Sequence, residues 1–243
     1  MEIHRNVCHK TRPKNIIFIS LRAIKKEVLF VLVNIVSWNT RGDGISTLSD
    51  VYSDVLDPNI PNIILMQEAG HILNWQFTQK FGKKNYNAFF VPAPDAINKR
   101  CTVGILADVS LGEKFGHCKC NEYRRPFVYL EYKDFVIASI HSNASQNTAV
   151  EEIRDANVIF SSDFSDRNWL LMGDFNCERK EAEAYEDDFE FHADDGGSPT
   201  HEKGRTLDFA VFSASLVGKV KIQNYDIVPS KSDHFPIHCV LDI

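Results

Sequence analysis

Nowhere in this chain does an apolar run approach the ~20 residues that a membrane-crossing helix needs, so a helical span is excluded. Cysteine is sparse, with six in 243 residues and no C-x-x-C pair, and Cys118 and Cys120 stand one residue apart, a spacing that suits neither zinc nor a redox dithiol. A disulfide-built scaffold is thereby excluded, with room left for one or two bridges if the protein is exported. Basic residues are outnumbered: 27 Lys and Arg against 33 Asp and Glu leave a formal charge of −6. The chain as a whole is therefore no polycation, and any grip on nucleic acid must be local. Past residue 30, Lys99-Arg100 and Arg124-Arg125 are among the paired basic positions. The acidic stretch between Glu178 and Asp195 reads as a solvated loop or helix face without chemistry. Internal repeats and linker-like composition are missing too, which argues for one domain.

What is present is ordinary globular material, 44% hydrophobic and 25% charged, at a length sufficient for one sizeable core. Met1 to Glu27 is rich in Lys and Arg and leads into the apolar stretch Val28 to Val33, like an eroded signal peptide. Glu27 breaks the transition, however, and no A-x-A site follows. Residues 1–32 are expected to form an N-terminal extension or degenerate targeting segment, and 33–243 the functional domain.

From residue 31 onward, short apolar runs bounded by turn residues predict strands at Val33–Asn39, Ile63–Gln67, Ala88–Pro92, Thr102–Ala107, Phe127–Tyr132, Phe135–His141, Trp169–Phe175, Leu207–Ser213, Val220–Val228 and Pro236–Leu241. Two stripes at helical spacing predict helices. One runs over Ile45, Leu48, Val51 and Val55 and is stopped by Asp57-Pro58; the other runs over Val150, Ile153 and Phe160 behind an Asn147-Thr148 cap.

Polar residues with chemical potential gather where these strands end. Trp169 to Met172 delivers Gly173-Asp174-Phe175-Asn176, and strand alternation puts Asp174 and Asn176 on one side. Capping a turn is the plain alternative for that pair. Ile63 to Met66 delivers Gln67-Glu68, a glutamate that is either a surface charge or a hard oxygen ligand. Trp38-Asn39 is a third polar terminus. Two histidines, His141 after Val136–Ile140 and His234 in Ser232-Asp233-His234-Phe235-Pro236, complete the set. Asp208 sits inside an apolar run where a lone carboxylate is costly, so it needs a partner, and an imidazole is the natural one.

The ordered series Trp38-Asn39, Gln67-Glu68, Ile140-His141, Gly173-Asp174-Phe175-Asn176, Leu207-Asp208-Phe209 and Ser232-Asp233-His234-Phe235-Pro236 resembles the endonuclease/exonuclease/phosphatase superfamily over residues 33–243. Within it, Leu65-Met66-Gln67-Glu68-Ala69-Gly70, Arg125-Pro126 and Thr206-Leu207-Asp208-Phe209-Ala210 are most similar to the B subunits of cytolethal distending toxins. The resemblance implies an α+β fold, a four-layered α/β/β/α sandwich of two mixed sheets flanked by helices. It implies hydrolysis of DNA with Mg2+, and Mn2+ or Ca2+ in support, held by Glu68 with Asn39 and Asp233. It further implies that Asp174 and Asn176 position water and phosphate, that Asp208 orients His234, that His141 is the second catalytic histidine, and that Arg125 and Asn143 contact DNA. Delivery subunits of a toxin complex, secretion and action in a target-cell nucleus are the corresponding partner and location expectations.

Departures from that pattern concern substrate grip. The toxin subunits carry an arginine after the strand matching Thr102–Ala107, where this chain has Asp108, and Cys177 follows Asn176 where arginine is usual. The general base stays open between the His234–Asp208 pair and Asp174. A phosphoinositide phosphatase uses the same groups and is the competing enzymatic reading; a binding-only member of the fold requires a broken site, and no expected position is lost.

Overall fold

A computed structural model describes residues 31–243 except 43, 71–75, 93–98, 113, 119–124, 185–190 and 226–231. Residues 1–30 of the N-terminal extension with Cys8, and further Cys120, Arg124 and the end of the Val220–Val228 run, lie outside the described residues.

In chain order the described elements are β1 (Leu32–Asn39), α1 (Gly44–Val55), β2 (Asn62–Gln67), β3 (Gln76–Phe81), β4 (Lys84–Val91), β5 (Val103–Asp108), β6 (Phe115–Cys118), β7 (Phe127–Tyr132), β8 (Phe135–His141), α2 (Gln146–Asp163), β9 (Asn168–Asp174), α3 (Arg179–Glu183), β10 (Ala193–Asp194), β11 (Asp208–Phe212), β12 (Gln223–Asn224) and β13 (Ile237–Asp242). They build two mixed sheets, ordered β12-β13-β1-β2-β5-β4-β3 and β10-β11-β9-β8-β7-β6.

Alternation along each strand sorts side chains into three cores. Ile35, Ile63, Leu65, Ile105, Ile137, Leu170 and Met172 fill the space between the sheets. Their neighbours Val36, Ile64, Met66 and Leu106 face outward and pack with Leu48 and Val55 of α1. On the other side Val136, Ala138, Ile140, Trp169 and Leu171 pack with Ala149, Ile153 and Phe160 of α2. A strand buried on both faces carries an unbroken apolar run, which is why these segments read as continuous hydrophobic stretches. The result is the expected α/β/β/α sandwich.

Several predicted boundaries shift. The second helix starts after Ser145 rather than an Asn147-Thr148 cap. The predicted Val220–Val228 strand reduces, among the described residues, to β12, whose two residues pair with His238 and Ile237 of β13. Strands β3, β6 and β10 and helix α3 were not predicted. In α3, the reciprocal cap of Glu178 and Glu181 gives part of the acidic run a local structural task.

Candidate active site

Strand direction brings the site together. Parallel β1 and β2 end side by side with Asn39 opposite Gln67. Parallel β8 and β9 end with His141 opposite Asp174, and antiparallel β11 begins at Asp208, also opposite Asp174. His234 arrives on the segment just before β13, bridged to His201. Five polar termini from two sheets thus meet at one end of the sandwich.

Asp174 is the hub and is almost fully buried. Its Oδ2 accepts from Asn39 Nδ2 at 2.7 Å and lies 3.6 Å from both His141 Nε2 and His234 Nε2. Its Oδ1 accepts the Asn176 backbone N–H at 2.9 Å. Asn176 adopts a left-handed backbone, φ 53°, and its Nδ2 donates to the Ser142 carbonyl at 2.7 Å. The two residues are neighbours because the chain turns, not because a strand alternates: the turn-capping and functional readings of this motif describe the same geometry.

Asp208, fully buried, meets His234 Nδ1 through Oδ2 at 2.8 Å, so the imidazole partner demanded by its apolar setting is present. Burial opposes a charge on His234, but the carboxylates of Asp208, Asp174 and Asp233 outweigh it and lift the imidazole to about 10. His141 goes the other way: burial, then the nearby Arg125, His234 and Arg100 cations, hold it neutral. Its Nε2 accepts from Arg125 Nη1 at 2.7 Å, while Nδ1 is buried without a hydrogen-bond partner among the described residues. Burial and then Asp208 raise the Asp174 carboxyl to about 7, against the pull of His234, Asn176 and Asn39.

Glu68 sits at the mouth with φ 46°, a left-handed conformation rare outside glycine and the strained setting typical of functional positions. Close backbone contact fixes that loop: a Cβ on Gly70 would come within 2.4 Å of the Gly42 carbonyl, and one on Gly44 within 2.2 Å of the Ala69 carbonyl. Below it, Gln67 Nε2 donates to Ser37 and Ser139 hydroxyls at 3.2 and 2.9 Å, tying the two sheets under the site.

An oxygen-preferring divalent ion fits this donor set. Two groups offer ligand atoms within 4.8 Å of one another, Asp174 with Asp208 and His234, and His201 with Asp233 and His234; in both, His234 Nδ1 is already paired with Asp208. Glu68 is a partly exposed carboxylate held by Arg100, with Nη2 2.6 Å from Oε2, and its Oε1 faces His141 at 3.9 Å. Asn39 keeps its carbonyl oxygen toward the Arg41 N–H at 3.0 Å. Asp233 stands near Arg41 at 3.5 Å and His201 at 3.6 Å, looser contacts than the one that holds Glu68 to Arg100.

The structure gives other residues unexpected places. Arg125 reaches His141 and the Ser142 carbonyl, inside the site. Asn143 is held from α2: its backbone and side-chain N–H groups both donate to Glu152. Asp108 lies at the far end of β5, where it caps a short turn at Ser110, because β5 runs antiparallel to β2. The arginine at the mouth precedes β5 instead, as Arg100. Sequence reasoning also missed His201, whose ring meets His234 edge-on at 4.8 Å; its position in Pro199-Thr200-His201, seven residues before Asp208, was the only signal available.

Sheet order, the hub carboxylate and its paired imidazoles define a phosphate-processing sandwich, and the chain belongs to the Endonuclease/Exonuclease/phosphatase family, whose model matches residues 36–234. Among solved structures it is similar to the Haemophilus ducreyi cytolethal distending toxin, with 18% identity, 86% of this chain and 97% of the other covered, and a TM-score of 0.65. It is similar also to CdtB, the biologically active subunit of cytolethal distending toxin (20%, 86% and 96%, TM-score 0.67), and to the endonuclease domain of TRAS1, a telomere-specific non-LTR retrotransposon (10%, 86% and 98%, TM-score 0.61). No curated protein sequence matches significantly. Among the described residues no helix is long and apolar enough to cross a membrane.

Proposed function

We propose that this protein is a Mg2+-dependent deoxyribonuclease of the genotoxin type. The observation that carries the reading is the convergence of Asn39, His141 and His234 on one buried carboxylate, Asp174, with Asp208 behind His234. Phosphodiester hydrolysis needs a proton acceptor for water and positive charge around the phosphate oxygens. A carboxyl raised toward neutrality is matched to the first task, so Asp174 takes the proton from water. His234, held charged by Asp208, supplies a fixed imidazolium donor to the developing oxyanion, and the Asn176 and Arg125 donors orient the phosphate. Glu68, with Asn39 and Asp233, would hold Mg2+, and the ion would supply Lewis acidity at the phosphate.

The toxin likeness supports the finer reading: a secreted protein that relies on delivery subunits and damages DNA in a target-cell nucleus. Mass spectrometry of the natural N-terminus tests export. Nicking of supercoiled plasmid tests the chemistry: His141→Ala or His234→Ala is expected to slow cleavage by about two to four orders of magnitude with the fold intact, and EDTA to abolish it. Normal nicking by either variant refutes the assignment. The Arg41, Arg100 and Arg125 guanidiniums around the mouth also suit clustered phosphates. Short-chain phosphoinositides assayed in parallel distinguish that second reading, which predicts phosphate release with no nicking.

A further inference from the structure

Glu152 is 3% exposed on α2 and belongs to none of the groups that meet the phosphate. It stands between Ala149 and Ala156 on the buried stripe of the helix, where the pattern asks for an apolar side chain. A buried acid is costly without compensation, which makes its task worth identifying. Its Oε2 accepts the Asn143 backbone N–H at 2.7 Å and its Oε1 accepts the Asn143 side-chain amide.

That backbone N–H shares a peptide plane with the Ser142 carbonyl, and the plane is rigid. The carbonyl on its other edge receives Arg125 Nη1 at 3.0 Å and Asn176 Nδ2 at 2.7 Å. The Ser142 N–H completes the mooring by donating to the Asp174 carbonyl at 2.9 Å. We propose that Glu152 is a positioning residue: by holding one peptide plane from the helix side, its carboxylate fixes the carbonyl that orients Arg125 and Asn176 at the reaction centre. A carboxylate on the N–H also polarises the same amide, strengthening the carbonyl as acceptor. The proposal deepens the phosphodiesterase reading and rests on it.

The test is a cycle of Glu152→Ala, Glu152→Gln and Asn176→Ala, singly and combined, in the full chain with Mg2+, measuring kcat and KM on duplex DNA. Glu152→Ala is expected to lower kcat about 10-fold, within the range that a displacement of about 1 Å produces. Glu152→Gln, which keeps an acceptor oxygen, recovers part of the loss. In the Asn176→Ala background Glu152→Ala is expected to add less than about 2-fold, since one of the groups it orients is gone. The metal-free protein offers a second reading independent of turnover: in 15N NMR the His141 Nε2 resonance, set by Arg125, shifts in Glu152→Gln. Equal losses in both backgrounds, an unchanged kcat, or an unmoved His141 resonance overturn the proposal. If Glu152→Ala fails to fold, Glu152→Gln is judged by the same criteria. Failure of the nuclease reading shows separately, as His234→Ala retaining full activity while the resonance still moves.

Discussion

His234 and Asp174 face each other across 3.6 Å with proton affinities pushed away from their ordinary values, both upward. A histidine raised to about 10 contributes stability that is complete below about pH 6.5 and is lost as pH climbs through its folded value. Asp174, raised to about 7, disfavours folding progressively between about pH 4 and 7 and adds no slope above that. Between pH 7 and 10 the metal-free protein should therefore lose about 1 kcal/mol or more, seen as a Tm fall of at least about 2–4 °C, and Asp208→Asn should flatten that slope. Calorimetry across the window checks it; a flat Tm in the wild type refutes it. The Asp208–His234 pair was legible from sequence because an acid inside an apolar run has few affordable partners. The Glu68–Arg100 pair was not, since nothing in the composition of Lys99-Arg100 indicates which end of β5 faces the site.

Elements that are buried on both faces declared themselves, and those at the sheet edges did not. β3, Gln76–Phe81, alternates exposed and partly buried positions, and β6 is only Phe115–Cys118; neither offers the sustained apolar signal that β2 and β9 carry. Position within an element also decides what a small change does. Gly173 sits in β9 between Met172 and Asp174, and a Cβ there would stand 1.9 Å from the Ile140 carbonyl of β8. Such close backbone approach is a reason for glycine in a strand. Gly173→Ala should force β8 and β9 apart next to His141 and Asp174, destabilising the protein by about 1–3 kcal/mol, the scale of core overpacking, and lowering cleavage more than any substitution at solvent-facing Val158. Denaturant unfolding and plasmid nicking of both variants measure this; a Gly173→Ala protein of wild-type stability contradicts the packing.

For the whole molecule, a net charge of −6 and a mouth edged by Arg41, Arg100 and Arg125 set opposite tendencies toward a polyanion. Three guanidiniums release at most about three counterions, so the logarithm of DNA affinity should fall with the logarithm of salt concentration with a slope no steeper than about −3. Fluorescence anisotropy over a salt series on the Asp174→Asn variant reads that slope, and a markedly steeper one requires a basic surface elsewhere. The sandwich itself was legible because six motifs kept their order along the chain. What the order could not convey was loop geometry, and Asn143 illustrates the cost: beside His141 in sequence, it is turned onto α2 in space.

Val31 and Ile243 exchange both backbone hydrogen bonds at 3.0 Å, and β1 and β13 lead from that point in register toward Asn39 and back from His234. A fluorophore or affinity handle on Ile243 therefore occupies the pole remote from bound phosphate.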